Sequence, residues 1–290
     1  MTGFSAMIGR NIRLYFSNKA SVFYSLLGAL IAIFLVLFFL KSTLVSAITS
    51  GFGGLITDDE SERLLDCWLV ASAGLIASGT TGLGALLQFV EDRESQKWRD
   101  FLVAPVPRWW ITGTYLIAAT IVSMVMTTTV YLIGTAYCFF QDVPLGGRDL
   151  AVSWGWLMLC SLAFTCLMGF AVSFLRTVGS FAGLSIVVGV LFGFFSETYV
   201  THHSLPGSVA NFVACLPFAQ ASALVRKPYT SAMIDTLPPQ TREATMDSMG
   251  ITMSIGTFQV GTGLIVTVLI GMVVVFSVLA WQIMARTVKR

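Results

Sequence analysis

The chain has 290 residues, 56% of them hydrophobic and only 11% charged, with 17 Lys and Arg against 15 Asp and Glu. A soluble domain carries about 25% charged residues, so a water-facing surface for this mass would go uncovered. The charges also sit in short patches between long charge-free runs, which disfavours a soluble enzyme, a disordered chain and a nucleic-acid binder together. A net charge of +2 gives no case for a nucleic-acid partner. The composition is that of an all-α, polytopic membrane protein.

At the N-terminus Phe4, Ile8, Ile12 and Tyr15, with Met7 alongside, recur at three- to four-residue spacing. Arg10, Arg13 and Ser17 fall on the other side, and Phe16 follows the stripe. Residues 1–19 therefore predict a basic amphipathic helix lying at the membrane interface. A bilayer core of about 30 Å takes roughly 20 apolar residues as helix. Runs that meet this length predict six spans, over residues 20–40, 67–90, 111–140, 150–175, 177–196 and 257–283. The first run has 21 residues, too long for the apolar part of a signal peptide, and reads as a span.

Between the fifth and sixth spans, residues 197–256 predict a long outer loop. Its first part is charge-free but holds His202, His203, Pro206, Asn211 and Pro217, which predicts short, partly re-entrant helices and not a full crossing. Asp235 to Asp247, with Pro238 and Pro239, reads as a solvent-exposed loop. With the N-terminus inside, 11 basic residues flank the spans on the cytoplasmic side and six lie outside. This predicts a multi-pass protein of the plasma membrane with both termini cytoplasmic. The acidic cluster Asp58, Asp59, Glu60, Glu62 and Asp66 then falls on the outer side.

The six spans contain no Asp, Glu, Lys or Arg. Ion-coupled carriers place ionisable groups in the membrane because coupling needs them, so the energy source is expected outside the bilayer. Gly74, Ser78 and Gly82, with Gly179/Gly183 and Gly189/Gly193, set small residues four apart. Such spacing serves packing within one subunit or a subunit or gate interface. The five cysteines form no CxxC pair and read as packing residues, with a Cys67–Cys215 bridge left open. His202 and His203 have no acidic or thiol neighbours at ligand spacing, so no metal site is expected.

The connection over residues 91–108 carries the sharpest local signal. Glu91, Asp92 and Glu94 precede Lys97 and Arg99, the order that suits a helix dipole. Trp98, Phe101 and Leu102 fall on one apolar face, and Pro105 and Pro107 end the helix. We expect a short cytoplasmic helix that docks a partner through Glu91, Arg93, Glu94, Lys97, Trp98 and Phe101.

Three segments together resemble the permease subunits of the second class of ATP-binding-cassette exporters, also called type V. The stretch from Arg10-Asn11-Ile12-Arg13-Leu14-Tyr15-Phe16 into Lys19-Ala20-Ser21 is similar to the family's connecting helix and first span. Glu91, Arg93 and Glu94 followed by Phe101 to Arg108 look like its coupling segment, although Ser95-Gln96 stand where glycine is common. The long outer loop with Leu216-Pro217-Phe218, leading to Ala223-Leu224-Val225-Arg226, is the third. The resemblance implies a half-transporter that pairs with a second permease, identical or paralogous, and with cytoplasmic ATPase subunits. No GxxxxGK[ST] occurs in the chain, so ATP and Mg are expected on the partner, with no catalytic, cofactor or metal residue here. It also implies that the outer helices, with Leu216, Pro217 and Phe218, cap the pathway. The apolar composition suits a hydrophobic or amphipathic cargo such as a drug, lipid or lipophilic peptide. The alternatives are an ion-coupled carrier or channel, and a membrane-embedded lipid-modifying enzyme. The latter would need an intramembrane acid, base or thiol constellation.

Overall fold

The computed structural model describes residues 2–52, 54–97, 108–200, 205–255 and 258–287. Helix α1 (Thr2–Ser17) ends at Asn18, whose side chain accepts from the Ser21 N–H and starts α2 (Lys19–Leu35). The helix then passes through one π turn, Val36–Leu40, into α3 (Lys41–Gly51). The expected span ended at residue 40, yet helix continues through Lys41. The reason is a partner: Lys41 Nζ meets Asp66 at 3.2 Å and Glu62 at 3.2 Å, so its charge is matched where the chain would otherwise have to stop. The π turn also turns Phe38 and Phe39 outward, 73% and 64% exposed.

Thr57 opens α4 (Asp58–Ala85) with a capping box, its side chain accepting from Glu60 N–H while Glu60 returns a bond to the Thr57 N–H. Asp58, Asp59 and Glu60 fill the first turn, where the helix dipole favours them. The acidic cluster ahead of the second predicted span is thus the head of this helix, which starts nine residues before that span. From Leu64 to Leu83 every residue of α4 is buried. After a break at Leu86 the chain continues as α5 (Leu87–Glu94).

The other helices among the described residues are α6 (Arg108–Phe140), α7 (Gly147–Val172), α8 (Val178–Phe195), α9 (Gly207–Cys215), α10 (Pro217–Thr236), α11 (Pro239–Ser248) and α12 (Thr262–Thr287). A two-residue antiparallel pair, β1 (Ser254–Ile255) with β2 (Phe258–Gln259), precedes α12. Among the described residues six helical stretches are long and apolar enough to cross a membrane, or seven if α9 and α10, bent by 81° at Leu216, are one broken span. The chain is built as a multi-pass membrane protein.

Helix α4 is the axis, packed against α2, α6, α7 and α10. Its small residues make this possible. A Cβ on Gly79 would fall inside the Phe192 ring, one on Gly74 would lie 3.1 Å from Leu157, and one on Gly82 would press on Thr165. Ser123 Oγ of α6 reaches the Ser78 carbonyl at 2.7 Å. Gly74, Ser78 and Gly82 therefore form a packing seam within the chain, the first of the two roles open to them. Gly183 and Gly189 of α8 meet nothing within 4 Å and face outward.

One loop expectation needs correction, and one open question is answered. Asp235–Asp247 is not an open loop: Pro239 sits in the first turn of α11, where a missing N–H costs nothing. Cys67 and Cys215 are free, the first buried and the second exposed, so no bridge joins them.

The seam yields a test. Gly82→Val should cost about 1–3 kcal/mol through overpacking, read as a lower unfolding midpoint in detergent. Gly183→Ala should leave that midpoint unchanged or raise it slightly.

Candidate functional site

Alternation of the helices brings α1, the end of α5, the start of α6 and the α7–α8 turn to one end of the bundle. There Asp92, 1% exposed, is enclosed by donors. Arg10 grips it through both nitrogens, Nη1 to Oδ2 at 2.8 Å and Nη2 to Oδ1 at 3.2 Å. Tyr115 donates its hydroxyl to Oδ2 at 2.7 Å, and Gln88, one turn before, donates to Oδ1 at 3.0 Å. A forked, bidentate pair of this kind fixes orientation as well as distance. The hydrogen bond and charge of Asp92 raise the Arg10 pKa further, so the guanidinium stays charged at every working pH.

Beside it, Arg93 donates to the carbonyl of Ser173 at 3.2 Å and to that of Leu175, acceptors just past the end of α7 that have no partner within the helix. Glu94 accepts from the Val178 N–H at 2.9 Å, at the first turn of α8. The end of α5 therefore fastens α1 and α6 through Asp92, and α7 and α8 through Arg93 and Glu94.

Of the expected docking residues, Arg93 and Glu94 are engaged in these bonds, Glu91 is half-buried and Lys97 is exposed. Trp98 and Phe101 lie outside the described residues. Helix α5 ends at Glu94, and Gln96 takes φ 59°, so one continuous helix from Glu91 to Leu102 is not formed. That left-handed backbone is the conformation glycine adopts without cost.

The interfacial helix also differs in part. Tyr15 is buried against the bundle and not turned to the lipid, packed with Val122 and Met126, and its hydroxyl lies 2.5 Å from Ser25 Oγ. Arg13 and Phe16 are exposed. Arg10, however, is turned toward Asp92 and does not share an open basic face with Arg13. Phe4 packs edge-on to Trp110 at 5.4 Å.

At the other end lies a site the sequence reading missed. Arg226, expected in an outer loop, is fully buried on α10. Its Nε donates to Ser72 Oγ at 2.9 Å, and its Nη2 to the Ser196 carbonyl at 2.9 Å and the Glu197 carbonyl at 3.3 Å. Its Nη1 reaches the Met249 carbonyl at 3.4 Å, and the guanidinium lies 4.3 Å from the centre of the Trp68 ring. Trp68 donates to the same Met249 carbonyl at 2.8 Å. One cation thus ties α4, the end of α8, α10 and the turn after α11. Glu197 is buried too, with φ 55°, and its Oε2 fills the space a side chain at Gly250 would need.

Leu216 is the extended hinge between α9 and α10, and Pro217 supplies the first residue of α10. Phe218 stacks on Phe164, centroids 5.3 Å apart and planes 4° apart, and meets Phe192 edge-on at 4.8 Å. Phe218 thereby anchors the 81° bend at Leu216 against α7 and α8. His202 and His203 lie outside the described residues. Among the described residues no group of three or more His, Cys, Asp or Glu could hold a metal ion.

Comparison with family models and with curated proteins finds no match.

Both clusters can be tested. A double-mutant cycle of Arg10→Met and Asp92→Asn should give a coupling of about 1–3 kcal/mol, measured by unfolding in mixed micelles; additive effects would contradict the pair. Arg226→Met should lose about 3–5 kcal/mol, because it strands buried carbonyls and the Glu197 carboxylate. Arg226→Lys, which keeps the charge but not the fork, should fall between it and wild type.

Proposed function

We propose that this chain is the membrane permease subunit of an ATP-driven exporter. It works with a second permease chain and with a separate ATPase subunit on the cytoplasmic face, which holds ATP and Mg. The single observation that carries the reading is the Arg10–Asp92–Tyr115 cluster. It binds the amphipathic helix α1 to the segment that resembles a coupling segment, and through α6 to the body of the bundle.

A half-transporter needs such a joint. Force applied to the stretch after Glu94 reaches α1 and α6 through Asp92, and reaches α7 and α8 through Arg93 and Glu94. ATP drives the movement only if its subunit binds one arrangement of these helices more tightly than another. The apolar surfaces of α2, α8 and α12, with Tyr24, Ile186 and Val274 exposed, suit lipid and a neighbouring permease. They also suit a hydrophobic or amphipathic cargo.

A second reading has its own observation. Ionisable groups buried among membrane helices mark ion pathways in many carriers, and Arg226 with Glu197 is such a pair. Ion-driven transport would use it.

The test is to purify the chain from its native membrane, identify the ATPase subunit that accompanies it, and reconstitute the two together. ATP should be required for transport, and Asp92→Asn should lower cargo-stimulated ATP hydrolysis several-fold. Transport driven by an ion gradient without ATP, and unaffected by Asp92→Asn, would overturn the exporter reading in favour of the carrier.

A further inference from the structure

The contacts between α4 and α6 bring two cysteines face to face. At the end of the bundle away from the Arg10–Asp92 joint, Arg63 Nη1 donates to the Asp142 carbonyl at 3.4 Å, and the Tyr137 hydroxyl donates to Asp66. One turn further in, a Cβ on Gly134 would lie 2.5 Å from Val70 Cγ1. Positions fall along α6 as they rise along α4, so the helices are antiparallel. In this register residue 67 faces residue 138.

Cys67 and Cys138 are both fully buried, and their thiols are hydrogen-bonded to each other. From α10 the Tyr229 hydroxyl donates to Cys138 Sγ at 3.8 Å and lies 3.1 Å from Thr135 Oγ1. The other cysteines are placed differently: Cys160 and Cys166 share α7, and Cys215 is exposed at the end of α9.

A disulfide requires Cα atoms within about 7 Å and Cβ vectors that point toward one another. Sulfurs in mutual hydrogen-bond contact meet the second condition. The bare backbone of Gly134, pressed on Val70 one turn from Cys138, draws the helices together as the first requires. The sulfurs can join without sliding or parting α4 and α6.

We propose that Cys67 and Cys138 form a disulfide that ties α4 to α6. The oxidant is a second disulfide, acting by exchange. One cysteine, as thiolate, attacks it to give a mixed disulfide and release one thiol. The other, as thiolate, then attacks the protein sulfur of that bond and releases the second thiol. Two protein S–H bonds are lost, one S–S bond forms, and both protons end on the reduced oxidant. With the termini cytoplasmic, as the basic residues predict, this end faces outward, where disulfides persist. Exchange takes place before α4 and α6 close, because both sulfurs are buried afterwards, and the finished bridge is shielded from reductants. The bridge does not depend on the exporter reading.

The test is differential alkylation of the full chain isolated from its native membrane. Free thiols are blocked in denaturant with one maleimide, the protein is reduced, and a second maleimide marks the thiols released. Peptide mass spectrometry should find the second label on Cys67 and Cys138 and the first on Cys160, Cys166 and Cys215. Cys138→Ser should move Cys67 to the first label, whereas Cys215→Ser should leave Cys67 with the second. If Cys138→Ser fails to accumulate, the unreduced wild-type digest should still yield one peptide pair joined through residues 67 and 138. The first label on both cysteines of wild type, or a second label on Cys67 that survives Cys138→Ser, would overturn the bridge. Loss of that label in Cys215→Ser would overturn it in favour of a Cys67–Cys215 bond.

Discussion

Close approach around α4 is the constraint from which the rest of this structure follows. Within a bilayer, burying apolar surface gives helices no reason to associate, so contact distance and hydroxyl bonds must do the work. From Ala71 to Gly84 this helix carries nothing larger than Leu or Ile, and Gly74, Gly79 and Gly82 take Leu157, Phe192 and Thr165 against their backbones. The hydroxyls of Ser72 and Thr81 satisfy themselves on carbonyls of the preceding turn, so they add no polar cost to the seam. Bulk is pushed to the periphery or to the ends of the axis, where Trp68 and Phe89 stand.

Those ends are where charge is tolerated, and both clusters use arginine. A planar guanidinium can spend several donors at once in one direction. Arg10 spends them on one carboxylate and the Asn11 side chain, while Arg226 spends them on two hydroxyls and three carbonyls left by helix ends. The consequence is mechanical asymmetry. Arg10 joins a surface helix to the bundle through a pair that is part open to water. Arg226 locks the re-entrant elements from within, and loosening it would leave several carbonyls dry and unbonded.

Much of the architecture was legible in the sequence, because six long apolar runs have few other uses. The boundaries were not. Lys41 and Asp66 looked like membrane edges, but each removes the cost of the other, so helix runs on past both. Pro217 and Pro239 looked like breakers, yet both sit in a first helical turn, and α10 even carries Pro228 in its interior. The joint at Arg10 was half legible: Arg10, Arg93 and Glu94 stood out as charged residues, while Asp92 was read only as part of an acidic run and Tyr115 was passed over. The spacing of Gln88 and Asp92, one turn apart, was the signal that could have marked them. Arg226 left a fainter trace, a cation at the end of the uncharged stretch Pro217–Val225, since its partners come from distant helix ends. The charge-free character of the six spans was a sound reading of those segments, but it missed the buried pair carried by the elements between them.

The Arg10–Asp92 contact links positions 82 residues apart. A chain made from the N-terminus has α1 long before Asp92 exists, and during that interval the helix has only the membrane surface to hold it. It becomes part of the protein when the second crossing returns the chain to the same side. The Arg10–Asp92 joint therefore closes late in synthesis, since α1 has no carboxylate partner until α4 and α5 have been made.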